Sequence, residues 1–318
     1  MIRISPYPVV LLTFGILAAS CAVIRECPIE TLQPAKITLE APRQSVAVFA
    51  SPDIFSESFL INKMTDDMRT DSLILNLLYS LKYFMEQAPG FENTEVSVFL
   101  AAQDSVPKDH DWFVGLNRLP VRNISYGGES LEVRCVAAWS IYNRDTSFTD
   151  KYIDVYAQVW KSDEDISGGA GDSEYELTDK LPSIEDAWWD LGITVARACA
   201  AYLTPHWQRE MRGIYMINRF PDLSVAAYAA MQNEDYDGAF AVWEKMLTLC
   251  SRKGQKNTKR QITYNMAIAC EYLNLPDEAI RWAQRSVDHA PAAASYRYLE
   301  FLEERKEQAP ILDKQINQ

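Results

Sequence analysis

Side chains that could carry out acid–base catalysis, act as nucleophiles or bind a metal are few and scattered in this sequence. The histidines are His110, His206 and His289, and none lies in a metal-binding spacing such as HExxH. No CxxC pair and no GxSxG sequence occurs. The run Asp109–Asp111 (DHD) consists of residue types that can bind a metal, but a polar loop is the expected structure. We therefore expect no catalytic motif, no bound metal and no cofactor.

The glycine-rich run Ser167–Asp172 (SGGAGD) lacks the Lys-Ser/Thr ending of a phosphate-binding loop. Residues 161–186 around it carry nine acidic side chains against two lysines, so this region would repel phosphate. A surface loop is the expected structure, with calcium or a basic partner as the alternative ligand. A pair of catalytic carboxylates stays open in this acidic part of the chain, because spacing in sequence does not fix the distance between two carboxylates.

A second acidic motif, at residues 233–244, fits two incompatible structures. Five residues match the pattern of an EF-hand calcium loop, with asparagine at the usual first aspartate: Asn233, Asp235, Asp237, Gly238 and Glu244. The same residues match the turn of a helical hairpin whose second helix begins near Asp237. A calcium loop keeps residues 233–240 non-helical, whereas the hairpin packs Ala239 inside a helix crossing. We favour the hairpin, since the corresponding part of the next repeat lacks these ligands.

The hairpin interpretation comes from a pattern that occurs twice. In residues 264–291 (YNMAIACEYLNLPDEAIRWAQRSVDHAP), small residues at Ala267 and Ala279 mark where two helices would cross, with an acidic, proline-containing turn between them. The earlier copy has its second crossing at Ala239, 40 positions before Ala279. This pattern resembles tetratricopeptide (TPR) repeats, whose period is about 34 residues. The additional residues fall at Ser251–Lys256, in the loop between the two repeats.

TPR repeats bind other proteins through an inner face formed by the first helix of each pair, and the resemblance assigns that face to eight residues. They are Tyr228, Met231, Gln232, Tyr264, Asn265, Ile268, Glu271 and Tyr272. The aromatic side chains would supply contact area, and Asn265 would hydrogen-bond an extended backbone. The alternative is that a closing helix at residues 292–307, or the α/β domain, covers this face. Two repeats would then act only as support, since isolated arrays need about three repeats for stability.

Residues 1–21 have the layout of an export signal. One cation, Arg3, is followed by an apolar run at residues 9–19 that is too short to span a bilayer. The following residues complete the sequence LAASC at 17–21, which resembles the lipobox of bacterial lipoproteins. That resemblance implies removal of residues 1–20, lipidation of Cys21 and anchoring in a lipid bilayer. Since Ala22 is not an aspartate and no acidic cluster follows, the family's sorting habit indicates the outer membrane, facing the periplasm.

The other cysteines are an odd number, so they cannot all pair in disulfides. They are Cys27, Cys135, Cys199, Cys250 and Cys270. Cys135, Cys199 and Cys270 lie in apolar patterns and are expected to be small core residues.

The negative charge of the chain is concentrated in one region. The formal net charge is -13, yet residues 221–318 hold 12 Lys or Arg and 14 Asp or Glu, a net of -2. Because the first 20 residues contribute only Arg3, about -12 is left on residues 21–220. Such a field repels phosphate backbones, so nucleic acid is not an expected partner. The one basic run, Ser251–Arg260, is expected to be a solvated loop, or else a contact to an acidic partner, a headgroup or the acidic domain.

Hydrophobic periodicity predicts a two-layer α/β sandwich, of the α+β or α/β class, over the acidic residues 45–218. The predicted elements are strands at 45–50 and 95–101 around a helix at 70–88, a hairpin of strands at 131–141 and 153–159, a helix from 184 to about 203, and a last strand at 211–217. The first three form a βαβ unit with parallel pairing. A stripe of small residues, Gly192, Ala196 and Ala200, is expected to let the second helix approach the sheet closely.

These features predict four segments: a signal peptide at 1–20, a tether at 21–44 reaching roughly 25 Å, the α/β domain at 45–218, and an all-α TPR-like domain at 219–318. The combination resembles bacterial envelope lipoproteins with an α/β domain and a TPR tail. We expect a membrane-anchored scaffold that binds another envelope protein or peptide. A carboxylate-dependent enzyme acting on envelope glycan or peptide is the competing hypothesis.

Overall fold

We describe the protein from a computed structural model, which covers residues 23–40, 45–50, 70–100, 106–126, 130–144, 151–162, 184–250 and 255–317. The chain divides into two compact units, each with its own buried core. The first, here called the helical unit, contains the chain up to Thr31 and Trp207–Pro310, and the second, the sheet unit, contains Leu32–His206 and Ile311–Gln318. In the residues that the structure covers, no helix is both long and apolar enough to cross a membrane.

The elements are numbered in chain order. They are β1 (Ile24–Gln33), β2 (Ser45–Ala50), α1 (Thr70–Glu86), β3 (Glu95–Phe99), β4 (Trp112–Arg118), β5 (Val121–Tyr126), β6 (Ser130–Asn143), β7 (Lys151–Ser162), α2 (Ile184–Leu203), β8 (His206–Tyr215), α3 (Pro221–Gln232), α4 (Tyr236–Leu249), α5 (Lys256–Tyr272), α6 (Pro276–His289) and α7 (Ala293–Ile316).

The sheet unit is built on a mixed sheet in which paired strands follow one another in the order β3-β2-β4-β6-β5. β7 lies off this path and also pairs with β6. β2 runs parallel to both neighbours, with Val48 opposite Val98 on β3 and Val114 on β4. β6 runs antiparallel to β4, β5 and β7. The predicted βαβ unit, β2-α1-β3, is therefore confirmed.

Helices α1 and α2 pack against each other and against one face of this sheet. α1 buries Ile74, Leu77 and Leu81 at the three- and four-residue spacing that places them on one side of a helix. At Gly192 of α2, an added Cβ would lie 2.8 Å from the side-chain nitrogen Nδ2 of Asn76 on α1. The small residue at this position lets α2 approach α1, where the sequence analysis had predicted a close approach to the sheet.

The predicted fold class, an α/β sandwich domain followed by packed helices, is confirmed. Strands β4 and β5 were not predicted. β4 lies between β2 and β6, and its residues 112–116 are all buried, so the sequence WFVGL shows no alternation. β5 (VRNISY) is short and does not alternate either.

In the helical unit, the hairpins α3-α4 and α5-α6 repeat with an offset of 40 residues. α4 and α6 each have 14 residues and begin at Tyr236 and Pro276. Both turns place one non-glycine residue in the left-handed region, Glu234 at φ 61° and Asn274 at φ 56°. In each turn, the N–H of the next residue donates to a carbonyl five residues earlier, as in a Schellman motif. α7 follows as a closing helix that extends beyond the predicted 292–307 and contains Pro310.

Strands β1 and β8 form a two-stranded ribbon. The carbonyl of Val23 accepts from Met216 N at one end, and the Thr31 hydroxyl donates to the carbonyl of Gln208 towards the other, so the strands run antiparallel. This arrangement corrects two expectations. A strand occupies Ile24–Gln33, within the segment expected to be a coiled tether. The last predicted strand begins earlier, at His206, and pairs with β1 outside the main sheet.

Candidate functional site

The eight residues predicted to bind a partner lie on the first helix of each hairpin, Tyr228, Met231 and Gln232 on α3 and the other five on α5. Six of them contact the β1–β8 ribbon directly, or contact a side chain that does, as described below. We call this side of α3 and α5 the inner face. The structure therefore brings the predicted residues together, but around a segment of the same chain.

Two tyrosines of the inner face hold strand β1 by its backbone. The Tyr272 hydroxyl donates to the carbonyl of Pro28 (2.8 Å), and the Tyr228 hydroxyl donates to that of Glu26 (3.1 Å). Gln232 Nε2 in turn donates to the Tyr228 hydroxyl oxygen (3.2 Å), and Arg25 of β1 stacks over the Tyr228 ring. Because both acceptors are main-chain carbonyls, the same hydrogen bonds could form with an extended segment of any sequence.

Asn265 holds strand β8 by both polar groups of one residue. Its Oδ1 accepts from Tyr215 N (2.9 Å), and its Nδ2 donates to the carbonyl of Tyr215 (2.8 Å). The amide is fully buried, so each of these bonds satisfies a group that has no access to water. An extended backbone is the partner that the sequence predicts for Asn265, and the backbone it binds is that of its own chain.

Glu271 is the charged centre of the inner face. Its buried carboxylate accepts two hydrogen bonds from Arg212 of β8 (2.8 Å each), one from Arg305 of α7 (2.6 Å) and one from the Tyr298 hydroxyl (2.7 Å). Arg212 and Arg305 also lie over the ring of Phe301, at 4.5 and 5.7 Å from its centroid. All four donors belong to the same chain, so this carboxylate ties α5 to β8 and α7.

Burial and the neighbouring charges shift the pKa values of one arginine and two tyrosines of this cluster. Burial alone would lower the pKa of Arg212, but hydrogen bonds and charge attraction from Glu271 outweigh it and raise that pKa. Burial raises the pKa of Tyr264 to about 12, and the neighbouring Tyr215 adds to this effect. Burial and the Glu271 carboxylate raise the pKa of Tyr298 as well. At neutral pH the site therefore holds a cationic arginine beside neutral tyrosines.

The remaining members of the predicted face are core residues. Met231 and Ile268 are buried in the core of the helical unit. Tyr264 packs edge-on against Tyr215 of β8, with ring centroids 5.2 Å apart, and against Tyr298 of α7 at 5.0 Å. The inner face is thus covered by α7 and β8, in line with the alternative expectation, and also by β1, which belongs to the predicted tether. Of the predicted residues, only Gln232 is exposed, while Tyr228, Tyr264 and Tyr272 are partly exposed.

Three residues that matter here were missed by the sequence analysis: Arg212, Tyr298 and Arg305. They lie 59, 27 and 34 positions from Glu271, and no motif links them to it. A buried acid within an apolar helix face was the one available signal, since such an acid needs a cationic partner.

The other candidate sites have structural explanations. Residues 236–249 are helical, as the hairpin interpretation predicts, and Asp235 caps this helix by accepting from Gly238 N (2.9 Å), so the calcium-loop interpretation is wrong.

Asp111 accepts from both Ser45 N and the Ser45 hydroxyl, which ties the predicted polar loop to β2. Among the residues that the structure describes, no group of three His, Cys, Asp or Glu side chains is placed to hold a metal. The run Ser167–Asp172 and the lipidation candidate Cys21 lie outside the described residues.

The five cysteines in the described part of the chain are free and buried. Burial raises the pKa of Cys135 to about 12 and that of Cys270 to about 11, and it raises that of Cys199 further. These thiols remain protonated and act as small core residues, as predicted for all three. The basic run is placed differently from the expectation, because Lys256–Arg260 forms the first turns of α5.

Comparison with known proteins finds two matching domain models. One, a domain of unknown function (DUF6340), matches residues 225–304, which span most of α3 to α7. The other, a domain of unknown function (DUF8603), matches residues 103–215, which include β4 to β8. None of the curated proteins in the comparison matches the chain.

Among solved structures, the chain resembles two bacterial lipoproteins at low TM-scores. A minor lipoprotein from Acinetobacter baumannii is 9% identical, with 50% of this chain and 88% of that chain covered and a TM-score of 0.29. A protein from Caulobacter crescentus CB15, assigned as a lipoprotein, is 13% identical, with 39% and 77% covered and a TM-score of 0.22.

Proposed function

We propose that the protein is an envelope lipoprotein, anchored through acylated Cys21 in the outer membrane and facing the periplasm, whose helical unit is a TPR-type scaffold that holds extended polypeptide. The observation that carries this proposal is the set of hydrogen bonds from Tyr228, Tyr272 and Asn265 to main-chain atoms of extended strands. Two hairpins with the same turn geometry at an offset of 40 residues support the TPR-type assignment.

The partner surface in this proposal is the exposed margin of the inner face. Gln232 is exposed there, beside the partly exposed rings of Tyr228 and Tyr272. An extended segment of another envelope protein laid along this margin would meet aromatic contact area and an amide able to donate and accept. The buried members of the face that bind the ribbon, Asn265 and Glu271, would hold it in place and would not touch the partner.

The anchor is tested by replacing Cys21 with serine in cells that process lipoproteins. The wild-type chain should incorporate labelled fatty acid and sediment with membranes, whereas Cys21→Ser should incorporate none and appear in the soluble fraction. Equal membrane retention of the two proteins would contradict the anchor.

The binding role is tested by placing a photo-crosslinking amino acid at Gln232 in the lipidated, membrane-bound protein. We expect discrete crosslinked species at this position and none with the same amino acid at Glu244, an exposed residue of α4. A second function, internal support alone, is favoured by the filling of the inner face by β1, β8 and α7. Absence of crosslinks at Gln232 would favour that second function.

A further inference from the structure

The β1–β8 ribbon has an outer face that turns away from the helices and carries apolar side chains in contact with solvent. On β1, buried and exposed residues alternate, with Cys27, Ile29 and Thr31 buried and Ile24 52% exposed. On β8, Trp207 is 63% and Met211 51% exposed, and the intervening Arg209 is exposed as well. Residues two apart on a strand share a face, so these three side chains lie on one side of β8.

The exposed residues of the two strands lie on the same side of the ribbon. An added Cβ at Gly213 would lie 2.8 Å from a side-chain carbon of Ile24, which places position 213 and Ile24 on one face. Met211 and Trp207 follow Gly213 at two-residue intervals back along β8, whereas Arg212 points to Glu271 on the inner side. The ribbon therefore has an outer face containing Ile24, Met211 and Trp207, and on β8 this face ends before Tyr215, whose buried ring packs against Tyr264.

The start of β1 lies three positions after the proposed lipidation site. Three residues of fully extended chain span about 10 Å. The headgroup region of one leaflet, taken from the total and hydrocarbon thicknesses of a bilayer, is roughly 5–8 Å deep. An acylated Cys21 would hold its backbone at the membrane surface, so Ile24 would remain within or just above the headgroups. The connection is too short to lift the ribbon away, unlike the tether of roughly 25 Å that the sequence analysis expected.

The chemistry of the outer face fits this location. Tryptophan is enriched at membrane–water interfaces because its ring is apolar and its N–H is polar, and Met211 and Ile24 add apolar area. Val23, which precedes the strand, is also exposed. The charged side chains exposed on or beside this face are Glu26, Glu30, Arg25 and Arg209, with no excess of positive charge. A zwitterionic lipid surface therefore suits the face better than an anionic one.

We propose that the outer face of the β1–β8 ribbon lies against the headgroup region of the bilayer that holds the anchor, with Trp207 and Met211 at the interface. This inference rests on the proposed acylation of Cys21. It gives the helical unit a fixed side toward the membrane, with the inner face and its helices on the side of the ribbon away from the lipid.

A cysteine-labelling experiment tests this docking in the full-length lipidated protein. The five native cysteines of the described residues are buried, so a cysteine introduced by Met211→Cys offers an accessible thiol for a polarity-sensitive fluorophore. The matched control is Leu249→Cys on α4, where the native residue is equally exposed at 51%. Both proteins are reconstituted into phosphatidylcholine vesicles containing brominated acyl chains, which quench fluorophores at the interface.

We expect the label at position 211 to emit at shorter wavelength and to be quenched roughly twofold or more beyond the label at 249, because interfacial residues approach the acyl chains. Trp207→Cys provides a second labelling position on the same face with the same expectation. Sedimentation of the vesicles is measured first, and loss of both proteins from the vesicles would mean that the anchor itself fails. Retention of both proteins with equal, water-like emission at 211, 207 and 249 would overturn the docking while leaving the anchor intact.

Discussion

At the scale of single residues, a buried side-chain amide in each unit binds both the N–H and the carbonyl of one other residue. Asn265 binds the N–H and the carbonyl of Tyr215 in the helical unit. In the sheet unit, Gln315 Oε1 accepts from Ala35 N (2.8 Å), and its Nε2 donates to the carbonyl of Ala35 (3.1 Å) and to the Thr38 hydroxyl (2.9 Å). Each amide acts like a neighbouring strand, because it offers one donor and one acceptor to the carbonyl and N–H of one residue.

Replacing Asn265 should therefore leave two buried main-chain groups of Tyr215 without a partner. We expect Asn265→Leu to lower the free energy of unfolding of the helical unit by about 2 to 4 kcal/mol, since each unsatisfied buried group costs about 1 to 3. Urea denaturation followed by circular dichroism measures the change. Asn257→Leu, at an exposed position of the same helix, is the matched control and should change stability little.

Glu271 gives the second prediction at this scale. Glu271→Gln keeps the shape of the side chain but removes the charge that compensates the mostly buried Arg212. We expect a loss of about 3 kcal/mol in the free energy of unfolding, because breaking one partner of a buried ion pair leaves the other uncompensated. The control is Asp277→Asn, which removes an exposed pair with Lys306 (2.7 Å) and should have little effect. Equal stability of Glu271→Gln and the wild type would show that the network is not a centre of stability.

At the scale of elements, the hairpins depend on small residues where their helices cross. Ala239 of α4 is fully buried, so a larger side chain has no space without displacement of α3 or α5. We expect Ala239→Leu to destabilise the helical unit by about 1 to 3 kcal/mol, measured by thermal unfolding. Ala241→Leu, two residues along and exposed, should have no comparable effect. A neutral Ala239→Leu would argue against tight packing at this crossing.

The contact between α5, α7 and the ribbon gives the helical unit a predictable alkaline limit. The raised pKa values of Tyr264, Tyr272 and Tyr298 mean that the fold binds the neutral phenols more strongly than the phenolates. This contribution is fully present below the unfolded tyrosine pKa near 10 and is lost as pH rises through the folded values. For Tyr264, whose folded pKa is about 12, the loss between pH 10 and 12 amounts to about 2 to 3 kcal/mol.

The melting temperature, measured from pH 8 to 11.5, should therefore begin to fall above about pH 8.5, where the thiols of the unfolded chain ionise, and fall more steeply above about pH 10, where its tyrosines ionise. Tyr298→Phe should be less stable at neutral pH, because Glu271 loses a donor, and should show a shallower alkaline decline. Tyr296→Phe, exposed on the same helix, should follow the wild-type curve. A decline of equal slope in Tyr298→Phe would contradict the role assigned to its hydroxyl.

At the scale of the whole molecule, residues from the two ends of the chain meet within the sheet unit. Gln315 binds Ala35, 280 positions away, and the backbone at Gln315 and Ile316 lies so close to Gly90 that an added Cβ there would be 2.8 Å from it. Gly90 has φ 79°, a conformation that glycine adopts without strain. The C-terminal residues thus complete the sheet unit.

Deleting residues 311–318 should consequently destabilise the sheet unit. We expect a loss of about 2 to 4 kcal/mol from the unsatisfied groups of Ala35, accompanied by faster hydrogen exchange at Ala35 N. Gln315→Ala should show most of this effect, while Asn317→Ala, whose side chain bonds only within its own helix, should show little. Unchanged hydrogen exchange at Ala35 N in the deletion and in Gln315→Ala would show that the hydrogen bonds between Gln315 and Ala35 are dispensable.

The sequence by itself determined the features that depend on neighbouring residues. Alternating and three- to four-residue spacing located β2, α1, β3, β6, β7 and α2, and small residues with Pro276 and Asp235 located both helical turns. These patterns are readable because each element buries one side and signals its own ends. β4 escaped because burial on both faces removes the alternation.

Only the tertiary structure decided what fills the inner face. Hydrogen bonds from Tyr228 and Tyr272 go to carbonyls of residues more than 200 positions away, and main-chain carbonyls have no signature in a sequence. The partners of Glu271 come from β8 and from α7, and no sequence motif links them to Glu271. Their meeting therefore depends on how the elements pack. For the same reason β1 was expected to be a tether, since the polar, proline-containing strand acquires its order from β8 and the two tyrosines.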